Sequence, residues 1–256
     1  MRAVLIQLQV IHAILLREVK TRYGDQKLGY AWALISPMIQ SATFVAFHYG
    51  IGGMAPPGVS PIAFIVIGIT TFDFFQRTNG QTVSSIAANK GLLFYPQVRP
   101  LDLVISRTLL EGATQFVVFS ILMTIASLAD GWNGFNSVLT IIAGLGLALG
   151  LGGSFGLVMC GLISLFPTIE RLQSVILRPL FFLSAIFYPL DSVPPVLQHI
   201  LLYNPIVHTI ELVRVGWFPG FQSRHIDPWY PVAWIVVLLF FGLSLERAAR
   251  RRFQLS

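Results

Sequence analysis

Charged residues are scarce in this sequence of 256 residues: only 11% are Asp, Glu, Lys or Arg, whereas 55% are apolar. A soluble domain carries about 25% charged residues, so the composition excludes a soluble enzyme and a disordered segment. Cysteine is nearly absent as well. The single Cys160 cannot form an internal disulfide, which excludes a disulfide-stapled secreted module. The mean hydropathy of +0.73 favours an integral membrane protein.

Motifs that carry chemistry are also missing. The sequence has no Gly-x-x-x-x-Gly-Lys-Ser/Thr loop, no Cys-x-x-Cys pair and no His-Glu-x-x-His helix, so we expect no nucleotide site and no catalytic residue in this chain. His208 and Glu211 stand at i,i+3, a spacing that metal ligands can use, but no further histidine or cysteine is placed to complete a site. An ion pair of Glu211 with Arg214 is the simpler interpretation, and we expect no metal.

Long uncharged stretches predict membrane-spanning helices. Residues 28–72 contain no charge, which is enough for two helices of about 20 residues, and the Gly- and Pro-rich segment 52–58 divides them. Six spans are predicted, at about 28–51, 61–80, 101–129, 136–165, 172–190 and 229–245. The region 193–220 is apolar but broken by prolines, so we expect two short re-entrant helices there, with protein or a watery cavity satisfying the backbone.

The distribution of basic residues predicts the orientation. With six spans both termini lie on one side, and of the 17 Lys and Arg residues all but Arg214 and Arg224 fall on that side. Cytoplasmic loops collect Lys and Arg. We therefore expect both termini in the cytoplasm.

Residues 1–26 predict a cytoplasmic amphipathic helix ahead of the membrane domain at 27–256. Basic residues lie on another side of this helix. The apolar residues that recur at helical spacing are Leu5, Leu8, Ile11, Leu15 and Val19. This pattern is typical of a helix that lies in the membrane interface.

Two stripes of polar and aromatic residues run along otherwise apolar spans. The first span carries Trp32, Ser36, Gln40, Thr43 and Phe47, and the fifth carries Ser174, Arg178, Phe181, Ala185 and Tyr188. Polar side chains facing lipid would lack partners, so each stripe should face protein or water. Interhelical packing and the lining of a conduit for a sugar chain both fit the pattern.

Ionisable residues inside predicted spans are functional candidates by default. Asp73 with Arg77, and Arg107 with Glu111, stand at i,i+4 and can neutralise each other on a helix. A structural ion pair and a contact with an anionic substrate or a cytoplasmic gate both remain open.

The fourth span contains two pairs of glycines at a spacing of four, Gly146 with Gly150 and Gly152 with Gly156. Small residues at this spacing let helices approach closely. We expect them to serve helix packing, within or between subunits.

The loop between the second and third spans, 84–100, is polar. A short helix ending around Gly91, followed by Phe94 and Tyr95, suits docking into a groove on a soluble partner. A merely solvated loop is the alternative.

Four stretches together resemble the ABC-2 type permeases that export polysaccharides, and their combination is similar to the branch exporting group 2 capsular polysaccharide. The stretches are LREVKTRYGDQKLGYAWALISP (16–37), ANKGLLFYPQVRPLD (88–102), FPTIERLQSVILRPLFFLSAIFYPLDSVP (166–194) and YNPIVHTIELVR (203–214). One departure weakens the O-antigen branch: Pro167-Thr168-Ile169-Glu170 stands where many O-antigen relatives carry an Arg-Asp pair.

This resemblance implies an ABC-2 exporter (type V) fold and a non-catalytic permease that works as a homodimer with two copies of a separate ATPase. ATP and Mg²⁺ would bind to that ATPase and no cofactor to this chain. The cargo would be a long acidic polysaccharide on a lipid-linked Kdo oligomer, moved from cytoplasm to periplasm across the inner membrane of Gram-negative bacteria. A periplasmic co-polymerase or adaptor and an outer-membrane channel would carry it onward, and no nucleic acid is involved.

The resemblance also implies roles for individual residues. The ATPase would dock on Leu15, Arg17, Glu18, Ser85, Asn89, Phe94 and Tyr95. The first and fifth spans of both subunits would line the conduit. For contact with the glycolipid at the cytoplasmic leaflet we expect Lys20, Arg22, Lys27, Asp73, Arg77 and Lys90, since bases there attract phosphate and carboxylates.

The sequence also leaves other functions open. Within the same class, the cargo could be O-antigen, teichoic acid, another lipid-linked glycan or a small lipophile. An ion-coupled secondary transporter usually shows internal repeats, and none is evident here. An intramembrane enzyme would need a nucleophile, base or metal cluster in the spans, and the sequence supplies none.

Overall fold

The computed structural model describes residues 2–23, 27–50, 58–95, 97–131 and 134–255. Within these ranges the protein consists of ten α-helices and three short 3-10 helices, with no β-strand. The α-helices are α1 (Arg2–Tyr23), α2 (Lys27–Gly50), α3 (Pro61–Val83), α4 (Ser85–Ala88), α5 (Pro100–Asp130), α6 (Val138–Leu165), α7 (Glu170–Phe182), α8 (Pro195–Leu202), α9 (Pro205–Trp217) and α10 (Trp229–Leu255). The 3-10 helices cover Lys90–Phe94, Pro167–Ile169 and Leu190–Ser192. The all-α class is thus confirmed for the described residues.

Three helices are long and apolar enough to cross a membrane, judged by length and composition over the described residues. They are Pro100–Ala129 in α5, Val138–Leu165 in α6 and Trp229–Ala248 in α10, which correspond to the third, fourth and sixth predicted spans. Over the first two predicted spans lie α2, with 24 residues, and α3, with 23. The crossing of the bilayer by six helices stays a prediction.

The fifth predicted span, 172–190, differs from the structure in its helical extent. The helix α7 ends at Phe182 and has 13 residues, a length of about 20 Å at 1.5 Å per residue. The chain then turns through 183–189, with Ala185 at a left-handed φ of 52°. The apolar residues after Phe182 suggested a continuous helix, whereas tertiary hydrogen bonds hold them in a break. Two helices, α8 and α9, follow within the predicted re-entrant region, and their return into the membrane stays a prediction.

The helix α3 lies at the centre of the molecule. It packs against α2, α5, α6 and α9, and residues on several of its faces, such as Phe64, Ile67 and Phe72, are buried. Its start is well defined, because Ser60 accepts a hydrogen bond from the Ala63 amide (3.1 Å) and Pro61 occupies the first turn. Since α3 is enclosed, some of its polar side chains are bonded within the protein, such as Asp73 to Arg77, whereas the side-chain polar atoms of Thr71, Thr78 and Asn79 are buried without a hydrogen-bond partner among the described residues.

The glycines of α6 bring it close to its neighbours, which confirms their packing role within the chain. A Cβ at Gly152 would lie 2.5 Å from the Phe75 carbonyl oxygen of α3, and one at Gly156 would lie 2.6 Å from Thr82 Cβ. Gly150 faces Ile235 of α10 in the same way, with a Cβ at 2.8 Å from Ile235 Cδ1. Gly146 is the exception, since a Cβ there meets nothing within 4 Å.

This difference predicts opposite outcomes for two alanine substitutions in one helix. We expect Gly152→Ala to lower the free energy of unfolding by about 1–3 kcal/mol, because the methyl group strikes backbone that cannot move aside. Gly146→Ala should be neutral or stabilising by about 0.5–1 kcal/mol, since alanine favours the helix. Thermal unfolding of both variants in detergent checks this, and equal unfolding temperatures would contradict it.

The N-terminal helix α1 packs on α5, and its buried face differs from the predicted apolar stripe. Ile14 and Glu18 are buried, whereas Leu8 of the predicted stripe is 57% exposed. Polar contacts set this rotation: the Gln7 side-chain amide donates to Asp102 of α5, and Ser106 of α5 donates to the Ile11 carbonyl (3.4 Å). A position in the membrane interface stays a prediction for α1.

Candidate conduit and coupling site

The predicted stripe on α2 lies on an open face of the chain. Trp32, Ser36, Thr43 and Phe47 are exposed and Gln40 is half-buried, while Pro37, Ser41 and His48 on a neighbouring face are buried. Thr43 donates its hydroxyl proton to the Ile39 carbonyl (2.8 Å). The stripe therefore points away from the core of its own subunit, toward lipid, a partner subunit or a watery space.

The predicted stripe of the fifth span divides into two parts. Ser174 and Arg178 are exposed on α7, whereas Phe181 is half-buried against aromatic neighbours. Beyond the helix, Ala185 is fully buried and the Tyr188 hydroxyl donates to the Phe182 carbonyl (3.2 Å). Only the α7 part thus faces outward in the same manner as the α2 stripe.

An aromatic cluster holds the two stripe-bearing helices together. The Phe181 ring lies 5.6 Å from Phe44 of α2 and 5.1 Å from Phe72 of α3, measured between ring centroids. Phe187 adds a contact with Phe44 at 4.5 Å. Sequence reasoning missed Phe44 and Phe187, and the one signal for them was the density of phenylalanine around 181–187. The cluster thus joins α7 to both α2 and α3.

The Asp73–Arg77 pair is confirmed, with Arg77 Nε 3.0 Å from Asp73 Oδ2. Asp73 is buried, and Arg77 also donates to Ser36 Oγ of α2 (3.4 Å). The pair thus neutralises a carboxylate within α3 and connects α3 to the α2 stripe.

The other residues expected to contact a glycolipid are basic. Lys20 is exposed in the last turn of α1, and Lys90 is exposed at the start of the 3-10 helix Lys90–Phe94. The side chains of Arg22 and Lys27 lie outside the described part of the chain. Lys20 and Lys90 are therefore free to meet an anion at the surface, and that role stays a prediction for the whole set.

Glu18 is the centre of a polar network that joins three parts of the chain: α1, α5 and the predicted docking loop between α3 and α5. Only 8% of Glu18 is exposed, and its carboxylate accepts hydrogen bonds from Asn89 Nδ2 (2.6 Å), Arg107 Nε (3.1 Å) and Arg107 Nη2 (3.4 Å). Arg17 donates to Asn89 Oδ1 (3.1 Å), and Arg107 donates to Ser84 Oγ (2.9 Å). The network fixes the position of the predicted docking loop relative to α1 and α5.

The predicted docking residues therefore fall into two groups. Glu18, Ser85 and Asn89 are buried and face the interior, Leu15 is half-buried, and Arg17 is exposed while bonded to Asn89. Phe94 is 89% exposed and Tyr95 is exposed beside it. Phe94 and Tyr95 therefore form an exposed surface, whereas the buried Glu18 and Asn89 attach the loop to α1.

Arg107 has a partner that the sequence did not indicate. It was expected to pair with Glu111 in its own helix, yet it binds Glu18 of α1, 89 positions away. Glu111 accepts a hydrogen bond from Gln115 Nε2 (2.8 Å) in α5. No local pattern could have shown the contact with α1, because it depends on how two distant helices pack.

The Glu211–Arg214 ion pair is confirmed and fully buried, with Arg214 Nη1 2.7 Å from Glu211 Oε1. His208, the residue considered for metal binding, uses both ring nitrogens on backbone groups: Nε2 lies 3.0 Å from the Leu202 carbonyl oxygen, and Nδ1 accepts from the Asp227 amide (3.1 Å). In this structure His208 thus links α9 to the segment before α10.

Comparison with known proteins agrees with this architecture. The profile of the ABC-2 type transporter family matches residues 9–218. The chain is 32% identical to the polysialic acid transport protein KpsM of Escherichia coli over 94% of each chain. It is 30% identical to the capsule polysaccharide export inner-membrane protein CtrC of Neisseria meningitidis serogroup B, over 94% of this chain and 91% of the relative.

An O-antigen exporter is more distant. Identity to the O-antigen export system permease protein RfbA of Klebsiella pneumoniae is 23%, over 90% of this chain and 85% of that protein. The family profile covers most of the described helices, from α1 to the end of α9. The protein belongs to the ABC-2 type transporter family.

Proposed function

We propose that this protein is the membrane subunit of an ATP-driven exporter that moves lipid-linked capsular polysaccharide across the inner membrane. The observation that carries the proposal is the likeness to polysialic acid and capsule export proteins along nearly the whole of both chains. The weaker likeness to an O-antigen permease makes O-antigen export the second candidate. Residues 167–170 also favour capsular polysaccharide as the cargo, since they lack the Arg-Asp pair of many O-antigen relatives.

A polar conduit is the physical requirement for such a cargo. A charged polymer cannot partition into hydrocarbon, because each ionised group would lose its hydration there. The α2 stripe offers Ser36, Gln40 and Thr43 for sugar hydroxyls and the rings of Trp32 and Phe47 for sugar faces. Arg178 on the neighbouring α7 adds a positive charge to meet the acidic groups of the polymer.

One subunit presents these residues on an open face, so the conduit must be closed by another surface. In our proposal a second copy covers it, and a homodimer with six spans in each subunit and cytoplasmic termini encloses the polysaccharide. Phe181 and Tyr188 then support the wall rather than line it, since Phe181 packs on Phe44 and Phe72.

At the cytoplasmic leaflet we assign glycolipid binding to basic residues around the conduit opening. Lys20, Arg22, Lys27 and Lys90 attract phosphate and carboxylate groups there, and Arg77 with Asp73 connects this region to the stripe. Two copies of a separate ATPase hold ATP and Mg²⁺ and drive the transport. A periplasmic co-polymerase or adaptor and an outer-membrane channel receive the product.

Docking of the ATPase on the loop after α4 leads to a direct prediction. We expect the double substitution Phe94→Ala, Tyr95→Ala to reduce co-purification of the ATPase by about tenfold or more, because exposed aromatic residues are common anchors of interfaces. The control is Tyr203→Ala, an equally exposed aromatic residue that we place on the periplasmic side. Retention of the ATPase by the double variant would show that it docks elsewhere.

Deletion of the coding sequence in the host tests the proposed function itself. We expect surface polysaccharide to disappear and lipid-linked acidic polysaccharide to accumulate in the cytoplasm, with recovery when the chain is supplied again. Loss of O-antigen chains with an intact capsule would support the second candidate. Unchanged amounts of both surface glycans would contradict glycan export.

A further inference from the structure

The break after α7 is held by two side chains of the α9 segment. Arg214 donates from Nη1 to the Ala185 carbonyl (2.9 Å) and from Nη2 to the Ile186 carbonyl (2.7 Å). Just before these residues, Asn204 Nδ2 donates to the Leu183 carbonyl (3.1 Å) and to Ser184 Oγ (3.0 Å). Four consecutive residues of the break, 183–186, are thus bound by the segment that caps and forms α9.

The guanidinium group of Arg214 lies in a buried site formed by Glu211, the Phe64 ring and Gly68. The residue is 0% exposed, Glu211 neutralises its charge at 2.7 Å, and the guanidinium carbon lies 3.5 Å from the centre of the Phe64 ring of α3. Glycine at position 68 leaves the necessary room, since a Cβ there would lie 3.1 Å from Nη2 and 2.8 Å from the Ile186 carbonyl oxygen. Burying a cation is costly unless it is paired and hydrogen-bonded. Glu211 and the two carbonyl oxygens serve Nη1 and Nη2, while Nε is buried without a hydrogen-bond partner among the described residues.

The position of the break matters for the proposed conduit. The residues that follow it directly are Phe187, which contacts Phe44 of the α2 helix at 4.5 Å, and Tyr188, which bonds back to the end of α7. A shift of residues 185–186 would therefore displace the aromatic cluster that holds α2 beside α7. The left-handed φ of 52° at Ala185 is unfavourable for a residue with a Cβ, so external bonds are needed to maintain it.

We propose that Arg214 is a positioning residue for polysaccharide export: it fixes the break after α7 to α9 and α3, so that ATP-driven movement carries these three elements as one unit. This inference rests on the proposed function. Lysine cannot take over the role, because it lacks the planar fork that reaches two carbonyl oxygens at once while stacking on a ring.

The test compares Arg214→Lys with wild type in complexes purified with the ATPase and reconstituted into lipid vesicles. We expect the lysine variant to assemble and to keep its basal ATP hydrolysis within about twofold, while polysaccharide export per complex falls by about tenfold or more, because the two carbonyl oxygens lose their shared donor. Arg224→Lys, an exposed arginine of the same region, is the matched control and should export normally.

A second variant guards against a failure to fold. Gly68→Ala retains Arg214 but crowds both Nη2 and the Ile186 carbonyl, so it should show the same loss of export with intact basal hydrolysis. Normal export by an assembled Arg214→Lys or Gly68→Ala complex would overturn the inference, as would failure of both to assemble, which would assign Arg214 to folding alone. If the wild-type complex itself exports no capsular polysaccharide, the proposed function fails instead.

Discussion

Replacing Glu18 by alanine should reduce polysaccharide export by about tenfold or more, one of the two largest effects we expect from a single substitution. The carboxylate of Glu18 accepts bonds from Asn89 and from two nitrogens of Arg107, so its removal leaves several donors without an acceptor. Each unsatisfied buried donor costs about 1–3 kcal/mol. The docking loop would then no longer be fixed to α1 and α5, and movement of the ATPase would be poorly transmitted to the membrane helices.

The measurement is export per membrane-inserted subunit, together with the amount of ATPase that co-purifies. Glu18→Gln should recover part of the activity, since its carbonyl oxygen can still accept a bond from Asn89 or Arg107. Glu170→Ala removes an exposed carboxylate near the predicted cytoplasmic end of α7 and should leave export unchanged. If Glu18→Ala exports within about twofold of wild type, the network does not serve coupling.

The substitution Arg178→Glu, which reverses the charge, should impair export as strongly as Glu18→Ala. Arg178 is exposed on α7, the helix whose Phe181 contacts Phe44 of α2, and in the proposed homodimer two copies would face the conduit. Two like charges about 4 Å apart repel by about 1 kcal/mol in water and by about 4 kcal/mol at an effective dielectric constant of 20. An acidic polymer passing two glutamates in a narrow wet space should therefore cross at least about tenfold more slowly, since a factor of ten requires about 1.4 kcal/mol.

Two controls separate this electrostatic effect from general damage. Arg178→Lys keeps the charge and should retain most of the export activity, and Arg247→Glu reverses the charge of an exposed residue on α10 and should have little effect. Export by Arg178→Glu at the wild-type rate would remove Arg178 from the conduit.

Local patterns in the sequence predicted the local features of the structure. Hydropathy located the helices α2, α3, α5, α6 and α10, because an apolar run of sufficient length has few other solutions in a membrane protein. Spacings of three and four residues gave the Asp73–Arg77 and Glu211–Arg214 pairs. Helical periodicity also predicted that the α2 stripe residues share one side of their helix.

Contacts between distant elements could not be predicted in the same way. The bond of Arg107 to Glu18 spans 89 positions, and the end of α7 at Phe182 depends on donors from Asn204 and Arg214. The face of α1 that packs on α5 could not be predicted either, since polar contacts with α5 bury Ile14 and Glu18 and leave Leu8 exposed. In each case the deciding contacts join residues that are far apart in the sequence.

The most direct test of the conduit is photo-cross-linking of the polysaccharide during export. A photoreactive amino acid is placed at Gln40 or Ser174 on the proposed conduit face, or at Val236 on the exposed face of α10, and active complexes are irradiated before glycan-specific detection of the subunit. We predict attachment of acidic polysaccharide at positions 40 and 174, dependent on ATP, and none at position 236. Absence of glycan at both conduit positions, or equal labelling at position 236, would contradict a passage along α2 and α7.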